Sequence, residues 1–589
     1  MKRIGRIGQT IWKLTSCLAA AWMAHGAAVV AGPVGPVTWG DTASIGGGWG
    51  RMAQLANGDW ISVTTRFPTG SESYLRIRRS ADQARTWQTI SEVKETGRTL
   101  DNGELVALPD GTLLLTMRSL IAGQSYRLPV YASGDGGASW TYRSNIDTSE
   151  GNGTDGLWEP DFLPLDDGRM AVTYSNETHA GYNQVISERI SGDGGTTWGA
   201  ETWAVAQIGG GNLRPGMSQV AKMGNGEFIL VYEVVNSGRA DVHCKFSADG
   251  VNWPPGIGTR IPLHHAGPFV AALPSGLVLV SSCENELSYS EDHGRTWQKI
   301  EPPPFDFGYL FSWPAIYATG PDEIAVMTVP GGVTLRFGNV TPRPKWPAVW
   351  SDGFDDGLDQ GWARYGGNFD LQNGTYLLNN EGTYGKAMAG DTFWRDGTLD
   401  ANVSLSSPGD AGLMFRTTNP DKEGPDHAFG YYAGIDSNGF AVLGRMNNSW
   451  TALATAPAAV SLNTWHHLRV DLAGTRIRIY VDDMATPKID ITDASFTRGQ
   501  IGVRAFQCDA AFDNVSFANS IPMRLSIDAA GDPLRLTWPE TAATVKLTES
   551  SDLTNGTPVP GLPTTTGGVS EQSVDRPSAD RRFYWLQAE

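Results

Sequence analysis

Cysteine is scarce in this chain, with four among 589 residues. Discounting the one at position 17 leaves Cys244, Cys283 and Cys508, and an odd number excludes a fully paired disulfide framework within one chain. A Cys244–Cys283 bridge between adjacent repeats and three buried thiols both stay open, and no Cys/His cluster has zinc-site spacing. Excess positive charge is also missing: the formal net charge is −18, which argues against nucleic acid or an anionic membrane surface as partner. Apolar positions at helical period are hard to find, so long amphipathic helices do not form the frame. No apolar run reaches membrane-spanning length. The nearest, over residues 17–31, is rich in alanine and follows Lys2, Arg3, Arg6 and Lys13. It resembles a secretory signal over residues 1–31, which makes a secreted protein the expectation, extracellular or periplasmic. What is abundant is glycine (71) and tryptophan (21), a composition that fits an all-β chain punctuated by turns.

One phrase, Ser-x-Asp-x-Gly-x-x-Trp, organises the first half. It reads Ser80-Ala-Asp82-Gln-Ala-Arg-Thr-Trp87, Ser133-Gly-Asp135-Gly-Gly-Ala-Ser-Trp140 and Ser191-Gly-Asp193-Gly-Gly-Thr-Thr-Trp198. A shortened copy, Ser247-Ala-Asp249-Gly-Val-Asn-Trp253, and a full one, Ser290-Glu-Asp292-His-Gly-Arg-Thr-Trp297, follow. Recurrence every 43 to 58 residues marks a repeated supersecondary unit. Asp accepts hydrogen bonds from its own turn, Gly supplies positive φ, and Trp packs the hairpin on its neighbour, so the phrase reads as turn chemistry rather than catalysis. It resembles the Asp box of sialidase-like β-propellers.

Each repeat opens with two apolar strands around a glycine-bearing turn: 51–55 and 58–64, 104–108 and 111–117, 161–165 and 168–174, 217–223 and 226–232, 268–273 and 276–281. A sixth repeat at 313–337 lacks the box, and 37–45 is placed to close the ring. The expected fold is a six-bladed β-propeller over residues 36–343. In such a blade the start of the first strand and the end of the second share one face near the axis. That rule gathers Arg51, Asp101, Asn102, Trp158, Glu159, Arg214, His264, His265 and Tyr309 with Arg118, Glu177, Glu233 and Glu284. Carboxylates, guanidiniums and aromatics converging in one funnel are what a sugar site needs.

Hydrolysis of a glycosidic bond generally takes two carboxyl groups, one protonated and one ionised. Glu159 and Glu233 are the selected catalytic pair, with Glu177 and Glu284 behind them. Arg51, Arg118, Trp158, Glu177, Arg214, His265 and Tyr309 are the expected substrate-binding residues. The runs Trp158-Glu-Pro160, Tyr174-Ser-Asn-Glu177, Arg214-Pro-Gly-Met217 and Val231-Tyr-Glu-Val234 are similar to those of the exo-α-1,5-L-arabinanases of glycoside hydrolase family 93. That resemblance implies a retaining exo-glycosidase with Glu159 and Glu233 as its two carboxyls, acid and nucleophile unassigned. Retention sets their separation at about 5–5.5 Å. An exo-α-sialidase is the first alternative, but His264-His265 stands where a third arginine would be expected. A non-catalytic glycan-binding propeller is the second. No cofactor is expected; structural calcium is compatible with the Asp-rich loops, although no EF-hand spacing is present. The partner would be an oligo- or polysaccharide, and a monomer is expected.

A proline-rich stretch over 341–347 reads as a linker. Residues 350–519 read as a second all-β domain, and Asn463-Thr-Trp-His-His-Leu-Arg-Val-Asp471 with Ala511-Phe-Asp-Asn-Val-Ser-Phe517 resembles the concanavalin/laminin-G-type jelly rolls attached to secreted glycosidases. The resemblance implies a carbohydrate-targeting module. His466 and His467 alternate faces on a strand and read as packing residues rather than metal ligands. Residues 521–589 read as a small C-terminal β domain.

Overall fold

The computed structural model describes residues 35–150, 155–206, 213–284, 286–305, 313–341, 349–379 and 383–519, together with 526–528, 533–539, 545–550, 557–560, 563–566, 569–574 and 583–588 of the tail. The signal-like segment, the proline-rich linker centre and Tyr309 lie outside these. Among the described residues every regular element is a strand.

The propeller is built from four-stranded antiparallel sheets. Blade one is Gly48–Gln54, Trp60–Arg66, Tyr74–Ser80 and Gln88–Val93; blade two is Thr99–Ala107, Leu113–Ile121, Ser125–Ser133 and Thr141–Glu150. Blade three is Leu157–Pro164, Met170–Asn176, Val185–Ser191 and Thr202–Val205; blade four is Arg214–Lys222, Phe228–Val235, Asp241–Ser247 and Thr259–His265. Blade five is Phe269–Ala272, Val278–Ser281, Leu287–Ser290 and Gln298–Lys299. Blade six takes Ala315–Gly320, Glu323–Thr328 and Thr334–Val340 from the end of the ring and Val37–Ser44 from its start, paired Val37 to Val340. The ring is thus latched by the chain's own first strand, as the sequence anticipated.

Second strands are sandwiched between neighbouring blades, so Met170–Asn176 is buried throughout and Phe228–Val235 nearly so. That explains their unbroken apolar character, where a half-solvated strand would alternate. The box tryptophans fill the seams: Trp140 packs with Ile61, Val63 and Ile77 of the preceding blade, and Trp198 with Leu114 and Val130. In the second box Ser133 Oγ donates to Asp135 (2.7 Å) and accepts the Gly137 N–H (2.8 Å), while Asp135 accepts the Ser139 N–H (2.9 Å) and hydroxyl (2.6 Å). Gly136 and Gly137 carry φ of 71° and 92°. The degenerate first box forces the same backbone on Gln83 (φ 56°) and Ala84 (φ 65°).

The second domain is a two-sheet β-sandwich, a jelly roll. Strands Asn368–Gln372, Thr375–Asn379, Ala510–Asn519, Gly397–Leu405, His466–Ala473, Arg476–Val481 and Ile489–Thr492 lie in that order in one sheet, with Val349–Asp352 on Ala510–Asn519. The other runs Ala363–Arg364, Tyr384–Ala389, Gln500–Phe506, Asp410–Thr418, Phe429–Asp436, Phe440–Asn447 and Trp450–Pro457. Gly397–Leu405 alternates strictly, sending Leu399, Ala401, Val403 and Leu405 into the shared core. Part of the outer face of the second sheet is covered by the propeller: Met388, Met414, Tyr432 and Met446 pack with Leu263 of blade four. In the tail, two small sheets meet over Leu536, Trp538 and Leu547. Cys244, Cys283 and Cys508 are buried and not in disulfides, so the bridge between repeats is not made.

Candidate active site

The first strands of blades one to four break register near the same end, at Gly48/Gly50, Asp101/Glu104, Trp158/Asp161 and Gly216/Gln219. At each break one residue takes left-handed backbone: Trp49 (φ 39°), Asn102 (51°), Glu159 (46°) and Met217 (51°). Such bulges bend a strand and re-aim its side chains. For Glu159 the conformation is doubly costly, being left-handed and directly before Pro160. Backbone strain at a residue whose chemistry is of interest is a recurrent feature of functional sites.

Glu159 is half-buried and receives a hydrogen bond from Ser175 Oγ (3.0 Å), which in turn accepts the Met217 N–H (3.2 Å). Glu233, on the second strand of blade four opposite Gly216, is buried and accepts the Gly267 N–H at 2.7 Å. Desolvation, reinforced by the negative charge of Glu233, pushes the Glu159 carboxyl up to about 7. Glu233 is raised too by desolvation, but the Gly267 amide and the Arg214 guanidinium favour its ionised form. Two carboxyls from neighbouring blades therefore sense one another, and the charge of Glu233 helps to keep the Glu159 carboxyl protonated.

The flanking residues form a network of their own. Glu177 accepts the Gly156 N–H (2.8 Å) and Trp158 Nε1 (3.0 Å) on one oxygen and Arg214 Nη2 (2.7 Å) and Nε (3.1 Å) on the other. With both oxygens engaged by protein donors, Glu177 ties Trp158 and Arg214 together. Arg118 lies over the Trp158 ring at 4.5 Å and pairs with Asp101 (3.2 Å). Tyr126 of blade two packs against Trp158 with its ring tilted by 50°, centroids 5.4 Å apart.

Two expected substrate residues lie elsewhere. Arg51 is 1% exposed, on the axis below its bulge, stacked over Trp49 (4.5 Å) and Phe269 (5.3 Å) and 3.4 Å from Glu104. The register break carries it inward, where it balances an axial acid cluster: burial raises Glu104, and burial plus the Glu104 charge raises Asp161. His265 is also 1% exposed and sits at the junction with the jelly roll, among Asp241, Glu284 and Glu423. Its turn back toward the axis, not its side chain, reaches the site.

Ser175, Gly267, Glu104 and Asp161 were not singled out from sequence. Ser175 and Gly267 lie inside the runs Tyr174–Glu177 and His264–Phe269, yet a serine or glycine there has no pattern of its own. The acidic group Asp241, His265 and Glu423 has metal-like proximity, but Arg260 fills it, 3.3 Å from Asp241 and 2.7 Å from Glu423. A guanidinium already balances these carboxylates, so the cluster fits an ion-pair network and not calcium. On the jelly roll, a cleft of about 380 Å³ is lined by Arg445, Asn447, Ser449, Thr451, Ser495 and Phe496.

Residues 56–258 match the family model for a BNR repeat-like domain, and residues 349–518 that for a 3-keto-alpha-glucoside-1,2-lyase-like domain. The chain thus carries a BNR-repeat propeller followed by a jelly-roll domain. A levanase of Bacillus subtilis (strain 168) is 29% identical over 197 residues, 32% of this chain and 26% of that protein. A levanase of Bacillus sp. (strain L7) is 30% identical over 123 residues, 20% of this chain and 13% of that one. The chain therefore spans 26% or less of the length of these curated relatives. Among solved structures, the Penicillium chrysogenum alpha-L-arabinanase complexed with arabinobiose is 24% identical, covering 51% of this chain and 99% of its own, with a TM-score of 0.45. For the GH93 alpha-L-arabinofuranosidase of Fusarium graminearum the values are 21%, 51%, 98% and 0.45. For the carbohydrate binding module CBM66 of Bacillus subtilis they are 23%, 26%, 94% and 0.24.

Proposed function

We propose that the protein is a secreted glycoside hydrolase whose propeller removes terminal neutral sugars from a polysaccharide, with Glu159 as general acid/base and Glu233 as nucleophile. The observation that carries this reading is Glu159, held near neutrality at about 7 by desolvation and by the charge of Glu233. A carboxylic acid still protonated near pH 7 can give its proton to a leaving glycosidic oxygen. The ionised partner, supported by the Gly267 amide and Arg214, attacks the anomeric carbon. Glu159 then returns as base to draw a proton from water, releasing the sugar with retention.

Neutrality of the substrate follows from the arginines. Arg51, Arg118 and Arg214 each already face a carboxylate, Glu104, Asp101 and Glu177 respectively. Clamping a sialic acid carboxylate would mean breaking these pairs, which disfavours the sialidase alternative. An α-1,5-linked arabinan is the leading substrate, resting on the motif resemblance; the levanase relatives put a fructan beside it. The jelly-roll cleft, with one guanidinium, hydroxyls and a phenylalanine, is suited to a saccharide and supports a targeting role for that domain.

The test is a product screen of the purified protein on α-1,5-arabino-oligosaccharides, levan and sialosides, beside Glu159→Gln and Glu233→Gln. Release of a sugar by wild type and its loss in both variants is expected, with the first-formed anomer retaining its configuration by NMR. Equal turnover by wild type and both variants would remove these glutamates from the mechanism.

A further inference from the structure

The jelly roll does more than sit beside the propeller: its loop around Asp421 and Glu423 grips the outermost strand of blade four at Arg260 and His265. Glu423 accepts Arg260 Nη2 (2.7 Å) on one oxygen and meets His265 Nε2 (2.5 Å) with the other. Asp421 takes the second Arg260 arm (2.5 Å). From blades four and five, Asp241 lies 3.4 Å from His265 Nε2 and Glu284 3.5 Å from its Nδ1, while Arg260 stands 3.5 Å from Nε2. Burial alone would lower the imidazole, but the bonds to Asp241 and Glu423 push it up to about 9, so His265 is a cation at neutral pH.

From His265 the chain turns back to the axis in two residues of left-handed backbone, Ala266 (φ 52°) and Gly267 (φ 48°). Ala266 donates to Ala240 O (2.9 Å), and its carbonyl accepts the Cys283 N–H (3.0 Å). The next amide, Gly267 N–H, is the one that holds Glu233 at 2.7 Å. We infer that the jelly roll completes the active site: Glu423, through His265, fixes the 265–267 turn that aims the Gly267 amide at the nucleophile. Glu423 and His265 are positioning residues, and the second domain is a working part of the hydrolase as well as any sugar-binding module. The inference rests on the proposed role of Glu233. It predicts an effect on small soluble substrates, which a pure targeting role would not.

The experiment compares full-length wild type, Glu423→Gln, Glu423→Asp, Arg498→Gln and Glu233→Gln. Arg498 pairs with Asp292 (2.9 Å) elsewhere in the same interface and serves as the docking control. On α-1,5-arabinotriose, Glu423→Gln is expected to lower kcat about tenfold, the scale of one weakened hydrogen bond to a charged group, with KM little changed. Its acid limb should move to higher pH, because the amide that favours ionised Glu233 is displaced. Glu423→Asp should recover part of the loss, and Arg498→Gln should match wild type. Independently of activity, amide exchange over residues 264–268 should quicken in Glu423→Gln and not in Arg498→Gln. Unchanged exchange in Glu423→Gln, or equal losses in Glu423→Gln and Arg498→Gln, would overturn the inference. If Glu233→Gln is inactive while Glu423→Gln keeps the wild-type kcat and acid limb, the positioning role alone fails. If Glu233→Gln retains wild-type turnover, the catalytic reading fails first.

Discussion

The two ends of the propeller use carboxylates in opposite ways. In the box turns, Asp135 and Asp193 are held down to about 2, first by the hydroxyls of Ser139 and Thr197 and then by the amides of those residues. At the funnel, Glu159 is pushed up to about 7, first by desolvation and then by a second carboxylate. An exposed acid surrounded by donors of its own loop is a fixed anion that shapes a turn. A half-buried acid facing a like charge is a proton store.

The difference has a sign in pH. The box aspartates titrate below their ordinary 3.8, so the stability they lend is complete above that value and is lost as pH falls through about 2. Glu159 titrates above its ordinary 4.5, so its contribution is complete below that value and is lost as pH rises through about 7.

Substitutions at the two ends should separate cleanly. The largest effect is expected from Glu233→Gln, a loss of at least about 10⁴-fold in kcat, as for removal of a nucleophile. Glu159→Gln should cost roughly 10²–10⁴-fold, the usual range for a general acid. Ser175→Ala, which strips the hydroxyl that donates to Glu159, should lower kcat about fivefold, a hydrogen bond's worth of about 1 kcal/mol. It should also move the basic limb of the pH profile upward, since that hydrogen bond favours the charged form. Asp135→Asn should do the reverse: a lower melting temperature with kcat per folded molecule changed by less than about twofold, because the turn lies away from the chemistry. Smallest is Gln83→Gly, which puts a glycine where the second and third boxes have Gly136 and Gly194. Relief of left-handed strain should add about 0.5–1 kcal/mol, read as a small rise in melting temperature. Loss of activity in Asp135→Asn, or none in Ser175→Ala, would break the contrast.

The same contrast explains what was legible beforehand. A box is local: serine, aspartate, glycine and tryptophan sit within eight positions, and each residue type has one job in the turn. The blade count and the ring closure followed from it. Glu159 and Glu233 were selected because strand ends share a face and because the runs around them resemble those of family 93, and the structure places them on neighbouring blades where the charge of one acts on the other. Arg51 and His265 obeyed that rule in sequence and departed from it in space. A bulge at Gly48/Gly50 carried Arg51 into the axis, and a second domain more than 150 residues further on claimed His265 through Glu423. Neither a register break that four unlike residues share, Trp49, Asn102, Glu159 and Met217, nor an inter-domain ion network has a local signature.

The most direct test is the titration of Glu159 itself, followed by carbon NMR of side-chain-labelled glutamate, with Glu159→Gln to assign the resonance and Glu233→Gln to remove the neighbouring charge. A midpoint near 7 in wild type is the value expected, falling in Glu233→Gln yet staying above the ordinary glutamate range because burial persists. A wild-type midpoint at the ordinary 4.5, unmoved by Glu233→Gln, would contradict the division of labour between the two carboxyls.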